Sequence, residues 1–249
     1  LNSNNYNLSI VDPIKYKSSK NKKYQKKIIF YENISSIKDF KNFDFIIFAV
    51  RPKDLDLALN DLSRKKFKKN TSAISVVAGK RINIFKLKLK FINQFVRVMP
   101  NMPALINQSM NCVVFGKYVT FKNKKLITDL FNLTGKTIVL KNENQIDMST
   151  AISGSGPGYV YNLVDAMEKA AIKLGFTKSI AKILVNQTFK GSINLLIQSK
   201  KDPDKLVDTV KTKGGTTEAG LKIMDKNKVH DMFIKLAKAS YNRAKQQGK

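Results

Sequence analysis

The sequence predicts an α/β chain in two parts, a doubly wound sheet followed by an all-α domain. Two observations carry this reading. Between residues 7 and 140, short apolar runs alternate with polar, helix-compatible segments, the alternation that builds a sheet covered by helices on both faces. Beyond about residue 147 the strand signals stop and only helical periodicity continues.

Taken in order, NLSIVD (7–12) and KIIFY (27–31) read as short strands. FDFIIFAV (43–50) is a continuous apolar run stopped by Arg51 and Pro52, as expected of a parallel strand buried on both sides. TSAISVVAG (71–79) repeats that pattern and ends at Gly79; FVRVMP (95–100), NCVVFG (111–116) and KTIVL (136–140) complete the strands. Segments 52–66 and 120–134 fit intervening helices. After SGSGPG, helical patterns cover 158–174, 178–198, 203–211, 217–226 and 228–246. Thr177 is placed to cap the second of these. Gly191 lies in its middle, where it costs roughly 1 kcal/mol relative to Ala and predicts a close backbone crossing. The change of character places the domain boundary at 145/146, giving domains 1–145 and 146–249.

Composition excludes several function classes. No apolar run approaches the roughly 18 residues of a membrane span. The single cysteine, Cys112, cannot form an internal disulfide and fits a reducing compartment, the cytoplasm. Net charge is +28, from 46 Lys and Arg against 18 Asp and Glu. These lysines are spread along the whole chain, in runs such as Lys20–Lys27, Lys65–Lys69 and Lys122–Lys125. No zinc-finger spacing, RNA-binding aromatic motif or basic heptad accompanies them. The charge reads as a solvated surface, and nucleic acid is not an expected partner. The acidic residues show no metal-ligand spacing, so no metal site is expected. His230, the one histidine, begins the last helix and reads as a surface or capping residue.

Doubly wound sheets bind ligands beyond the carboxyl ends of their strands. The residues there are Ala49, Val50, Arg51 and Pro52, then Val77, Ala78 and Gly79, then the run Met99–Pro103. Small residues, glycine and proline in three successive breaks let backbone approach a ligand. Asp12 ends the first readable strand, the position from which an acid hydrogen-bonds a dinucleotide's ribose. The glycine fingerprint GxGxxG that should precede it is absent. The chain, which begins at Leu1, is therefore expected to lack the strand and phosphate loop that come before Asp12. A second glycine cluster, KGGTTEAG (213–220), opens a helix. Consecutive backbone N–H groups at a helix start, with the hydroxyls of Thr216 and Thr217 beside them, suit a small carboxylate.

VRVMPNMPALINQSM (96–110), TAISGSGPGYVYNLVDAMEKAAIKLG (150–175) and KGGTTEAGLKIM (213–224) resemble pyrroline-5-carboxylate reductase, the enzyme of the last step of proline synthesis. The resemblance runs from Asp12 to the last helix. It implies a Rossmann-type doubly wound domain, then an all-α dimerisation and substrate domain, in a homodimer that assembles further into decamers. NADPH or NADH is the implied cofactor and 1-pyrroline-5-carboxylate the implied substrate. Ala49, Val50, Arg51 and Pro52 match the family segment along the dinucleotide, with Arg51 in place of the usual lysine. Val77, Ala78 and Gly79 match the segment beside the nicotinamide, and Asn33 an asparagine near the adenosine ribose. Thr212, Gly215 and Thr216 match positions that hold the substrate carboxylate; Thr217 matches the threonine facing the ring nitrogen and is the implied catalytic residue. Met102, Gly158 and Lys213 depart from the family's usual threonine, alanine and proline. Asp12 departs toward an acid, which suits a ribose 2′-hydroxyl and predicts that NADH is used at least as well as NADPH. A hydroxy-acid dehydrogenase of the same build would need a catalytic lysine on the first long helix, where Lys169 and Lys173 are the only candidates.

Overall fold

The computed structural model describes residues 6–12 and 28–248; the lysine run 20–27 lies outside them. The described residues divide into two units, one closing at Gly154 and regaining the chain from Arg243, the other spanning Ser155–Asn242.

The first unit holds seven strands: β1 (Leu8–Val11), β2 (Ile28–Tyr31), β3 (Phe45–Phe48), β4 (Ser72–Ser75), β5 (Gln94–Met99), β6 (Ser109–Phe115) and β7 (Gly135–Val139). Four helices accompany them: α1 (Leu55–Ser63), α2 (Ile82–Lys88), α3 (Phe121–Asn132) and α4 (Glu143–Ser149). Strands β1 and β2 form a parallel pair, and β3 to β7 form a five-stranded sheet in sequential order. Among the described residues β1 pairs only with β2, and β3 only with β4. The interruption falls where a 3-2-1-4-5-6 strand order has its first strand.

Side chains alternate across the sheet and split the core in two. Ala73 and Phe95 share one face with Phe48, where Leu55, Leu59 and Leu62 of α1 and Ile82 and Phe85 of α2 pack. Their neighbours Ile74 and Val96 point the other way, against Ile127 and Phe131 of α3. Cys112, Val114 and Ile146 form a third cluster under α4. Apolar residues on both faces explain why these strands read as continuous apolar runs and not as alternating ones.

One expectation is corrected. The sheet is not parallel throughout, because β6 runs antiparallel to β5. The connection between them holds only a short 3-10 turn, Met102–Ile106. A parallel crossover needs a dozen or more residues, usually with a helix, so the chain can only double back. Helix α2 is an addition: its seven residues are too short to show clear periodicity in the sequence. Gly135 opens β7 at φ +149°, and a Cβ there would fall on the backbone of Ser109, its ladder partner.

The second unit contains α5 (Gly156–Lys173), α6 (Lys178–Ser199), α7 (Pro203–Val210), α8 (Thr216–Lys226) and most of α9 (Val229–Gln247). Thr177 caps α6 by accepting from the Ile180 N–H at 3.4 Å. Pro157 sits in the first turn of α5, where its missing N–H breaks no helical bond. Within this unit only Ala181 and Val185 are buried among the described residues. Apolar side chains ring α6, with Ile180, Ile183, Leu184, Ile193, Leu195 and Ile197 all exposed. Among the described residues, and outside its own turn of helix, nothing lies within 4 Å of where a Cβ on Gly191 would stand, so they do not make the expected crossing.

Candidate functional site

At the carboxyl end of β1, Asp12 is half-buried and its N–H donates to the Tyr31 carbonyl at 3.2 Å, holding it level with the end of β2. Asn33 follows β2 and caps a 3-10 turn. Its Oδ1 accepts from the Ser35 and Ser36 hydroxyls and from the Ser36 N–H, at 2.6, 2.9 and 3.0 Å.

Beyond β3, Ala49 is exposed and Val50 half-buried. Arg51 is extended, as the residue before proline must be, and Pro52 starts a 3-10 turn. The Arg51 Nε bonds the Asp54 carboxylate at 2.8 Å with the arginine side chain 71% exposed. A pair this exposed contributes about 0–1 kcal/mol, so the guanidinium is cheaply redirected to an anion. Beyond β4, the Val77 N–H donates to the Ser75 hydroxyl at 3.2 Å. Gly79 is buried at φ +72°, and a Cβ there would come within 2.6 Å of the Gln247 Cβ. Both the left-handed backbone and the close approach require glycine.

The β5–β6 connection is held by Asn101. Its Nδ2 donates to the Ser153 carbonyl at 2.9 Å, and its Oδ1 accepts from the Met110 N–H at 2.9 Å. Ser153 belongs to a single π-helical turn, Thr150–Gly154. There the Thr150 and Ser153 hydroxyls bond back to the carbonyls of Ile146 and Ser149.

In the second unit, Gly214 takes φ +75°, and a Cβ on Gly215 would collide with the Thr212 hydroxyl. Both glycines of KGGTT are thus required by the loop itself. The Gly215 N–H donates to the Thr212 carbonyl at 3.0 Å. The Gly214 N–H donates to the Glu218 carboxylate at 2.8 Å. These two N–H groups are spent within the loop. The donors left to an anion are the first-turn N–H groups of α8, at Thr216 and Thr217, which have no partner one turn back along the helix. Thr212 and Thr216 are exposed and Thr217 half-buried. Lys169, the rival lysine on α5, pairs with Asp165 at 2.6 Å on the exposed helix face.

Sequence reasoning missed a group of charges in the first unit. Arg97, on β5, is 2% exposed and bonds Asp147, 0% exposed, at 2.9 Å. Arg81 bonds the other oxygen of Asp147 at 2.8 Å. The signal was an arginine inside the otherwise apolar run FVRVMP, since a buried guanidinium demands a carboxylate partner. Among the described residues no group of three or more His, Cys, Asp and Glu is placed to hold a metal ion, and no helix is long and apolar enough to cross a membrane. His230 is exposed.

A doubly wound sheet with small residues at its strand ends, followed by helices bearing a glycine–threonine loop, is the build of the dinucleotide-dependent oxidoreductases. Residues 143–247 match the pyrroline-5-carboxylate reductase dimerisation domain. The chain is 36% identical over 195 residues to pyrroline-5-carboxylate reductase 2 of Bacillus subtilis (strain 168), covering 78% of this chain and 69% of that one. It is 30% identical over 206 residues to the Arabidopsis thaliana enzyme, covering 83% and 74%. Among solved structures it resembles a pyrroline-5-carboxylate reductase from Coxiella burnetii, with TM-score 0.82 and 27% identity over 91% of this chain and 83% of that one. It also resembles the Plasmodium falciparum pyrroline carboxylate reductase with NADP bound, with TM-score 0.79 and 26% identity over 98% and 99%. The chain belongs to the pyrroline-5-carboxylate reductase family.

Proposed function

We propose that the protein reduces 1-pyrroline-5-carboxylate to L-proline with NADPH or NADH. The observation that carries this is the KGGTT loop, whose two glycines are built into its geometry and whose first-turn N–H groups at Thr216 and Thr217 have no acceptor one turn back along the helix. When bound, the reduced dinucleotide supplies the hydride that converts the C=N bond to an amine.

The residues present fit that cofactor in part. Asp12 suits a ribose diol, the Asn33 amide a ribose oxygen, and the Arg51 guanidinium a phosphate. Backbone at Ala49, Val50 and Pro52, and at Val77, Ala78 and Gly79, is the stretch assigned to the dinucleotide, with Ala49 exposed and Val77 and Gly79 buried. No GxGxxG loop for the pyrophosphate exists in these 249 residues.

Toward the substrate, Thr216 and Thr217 offer N–H groups to the carboxylate, aided by the positive end of α8. The Thr212 hydroxyl stands beside Gly215, whose role is to let it approach. Thr217 sets its hydroxyl at the ring nitrogen, where the oxygen accepts the iminium N–H and orients the ring, and no proton is drawn from the hydroxyl. An iminium is already electrophilic, so orientation and anchoring do most of the work.

The second unit supports a homodimer. A helix with apolar residues on every side calls for burial, and among the described residues α6 buries only Ala181 and Val185. A second copy covers it, with Gly191 at the crossing; decamers of such dimers and a cytoplasmic setting complete the reading. Domains 1–145 and 146–249 serve cofactor and substrate respectively. Imine-dependent oxidation of NADPH and NADH by the purified full-length protein tests the proposal. A folded protein that oxidises neither with 1-pyrroline-5-carboxylate overturns it.

A further inference from the structure

Helix α2 begins directly after the Val77–Gly79 loop, and its N-cap, Arg81, makes no side-chain capping bond. Helix α4 supplies what is missing. The Glu143 carboxylate accepts the Ile82 N–H at 2.9 Å and also meets the Arg97 guanidinium at 3.4 Å. One turn further on, Asp147 divides its two oxygens between Arg97 and Arg81, at 2.9 and 2.8 Å. The cluster balances two guanidiniums with two carboxylates.

Arg97 alone would neutralise Asp147, because both are buried and in contact. Arg81 is the additional partner, and it comes from the loop and not from the core. Buried ionic clusters seldom add stability over apolar packing of the same volume, so the arrangement calls for a reason other than stability. Its geometry supplies one. The loop is wedged at Gly79 by the last turn of α9, through Gln247, and tied at Arg81 by α4. Between those two anchors lies only Lys80, and Val77 and Ala78 run directly into the first of them. Helix α4 then runs straight into the Thr150–Gly154 turn that Asn101 grips.

We propose that Arg81 is a positioning residue for the dinucleotide: its bond to Asp147 holds the Val77–Gly79 backbone in the conformation that receives the nicotinamide half. This rests on the reading of Val77–Gly79 as cofactor-binding. The Arg81 guanidinium is engaged by Asp147, and its effect reaches the dinucleotide through the loop backbone. It acts by lowering the freedom of three backbone residues before binding, which removes an ordering cost from the cofactor's affinity.

The test uses the full-length protein with Arg81→Ala, Arg81→Lys and Gly79→Ala. Dissociation constants for NADPH and NADH come from titration calorimetry, amide exchange of residues 76–82 from mass spectrometry, and KM for both substrates from steady-state assays. Arg81→Ala is expected to weaken dinucleotide binding about three- to tenfold and to speed exchange in 76–82, with KM for the imine unchanged. Arg81→Lys, which still reaches the carboxylate, is expected to restore most of both. Unaltered dinucleotide affinity in Arg81→Ala, or a loss that lysine does not relieve, overturns the proposal. If Gly79→Ala also leaves affinity untouched, the cofactor reading of the loop falls with it. If Gly79→Ala weakens binding and Arg81→Ala does not, only the role of Arg81 is lost.

Discussion

Ile183→Glu separates the protomer from the assembly. Ile183 is 69% exposed on α6, on the side opposite the buried Ala181 and Val185. Within one protomer the change is harmless, since Glu is a slightly better helix former than Ile. In a homodimer that covers this face the result is different. Full burial of an Ile side chain is worth about 1.5–3 kcal/mol, and roughly two-thirds of that remains to be gained here, or about 1–2 kcal/mol. A two-fold interface presents the same patch twice, so the loss doubles to about 2–4 kcal/mol. At 1.4 kcal/mol per tenfold, the dimer dissociation constant rises about 30- to 1000-fold, before any cost of desolvating the new carboxylate. Sedimentation equilibrium across a concentration series reads this directly, with circular dichroism to show that helix content persists. Equal dimer affinity in wild type and variant, or a wild-type protein that is monomeric, refutes the reasoning.

Gly191→Leu gives a prediction whose sign decides. Helix propensity alone favours the substitution by about 0.8–1 kcal/mol, and nothing in the protomer obstructs it; a partner helix crossing there makes it destabilising, so a fall in the concentration-dependent Tm is expected and a rise rejects the crossing. Asp12→Ser removes a carboxylate whose repulsion of a 2′-phosphate at about 4 Å is worth 1 kcal/mol or more. The ratio of kcat/KM for NADPH over NADH should rise at least about fivefold, and an unchanged ratio excludes Asp12 from the ribose site. Thr217→Val keeps the shape of the side chain and removes its hydroxyl. It should lower kcat at least about tenfold, since a hydrogen bond to a charged group is worth about 1.5 kcal/mol or more, with dinucleotide affinity intact; a kcat within threefold of wild type excludes the hydroxyl from the ring nitrogen.

Much of the first unit was legible because each buried strand announces itself locally. Phe45–Phe48 and Ser72–Ser75 lie inside the apolar runs that predicted them, trimmed by the loops that follow. Helix α2 was not legible, since seven residues span only two turns and half of its capping comes from Glu143, sixty-one positions away. KGGTT could be placed at a helix start from its residues alone. That two of its N–H groups are consumed inside the loop could not be foreseen, because the acceptors are a carbonyl and a glutamate whose orientation depends on the turn already being made.

Backbone permissions belong to single residues and their nearest neighbours, so glycine at a left-handed turn, proline in a first helical turn and threonine at a cap can be read before any fold exists. The partners of buried charges are of another kind. They arise only when segments distant in sequence are brought together. Arg97 required a carboxylate from the outset; that Asp147 supplies it, and shares it with Arg81 beside the Val77–Gly79 loop, is settled by the packing of α4 against the sheet.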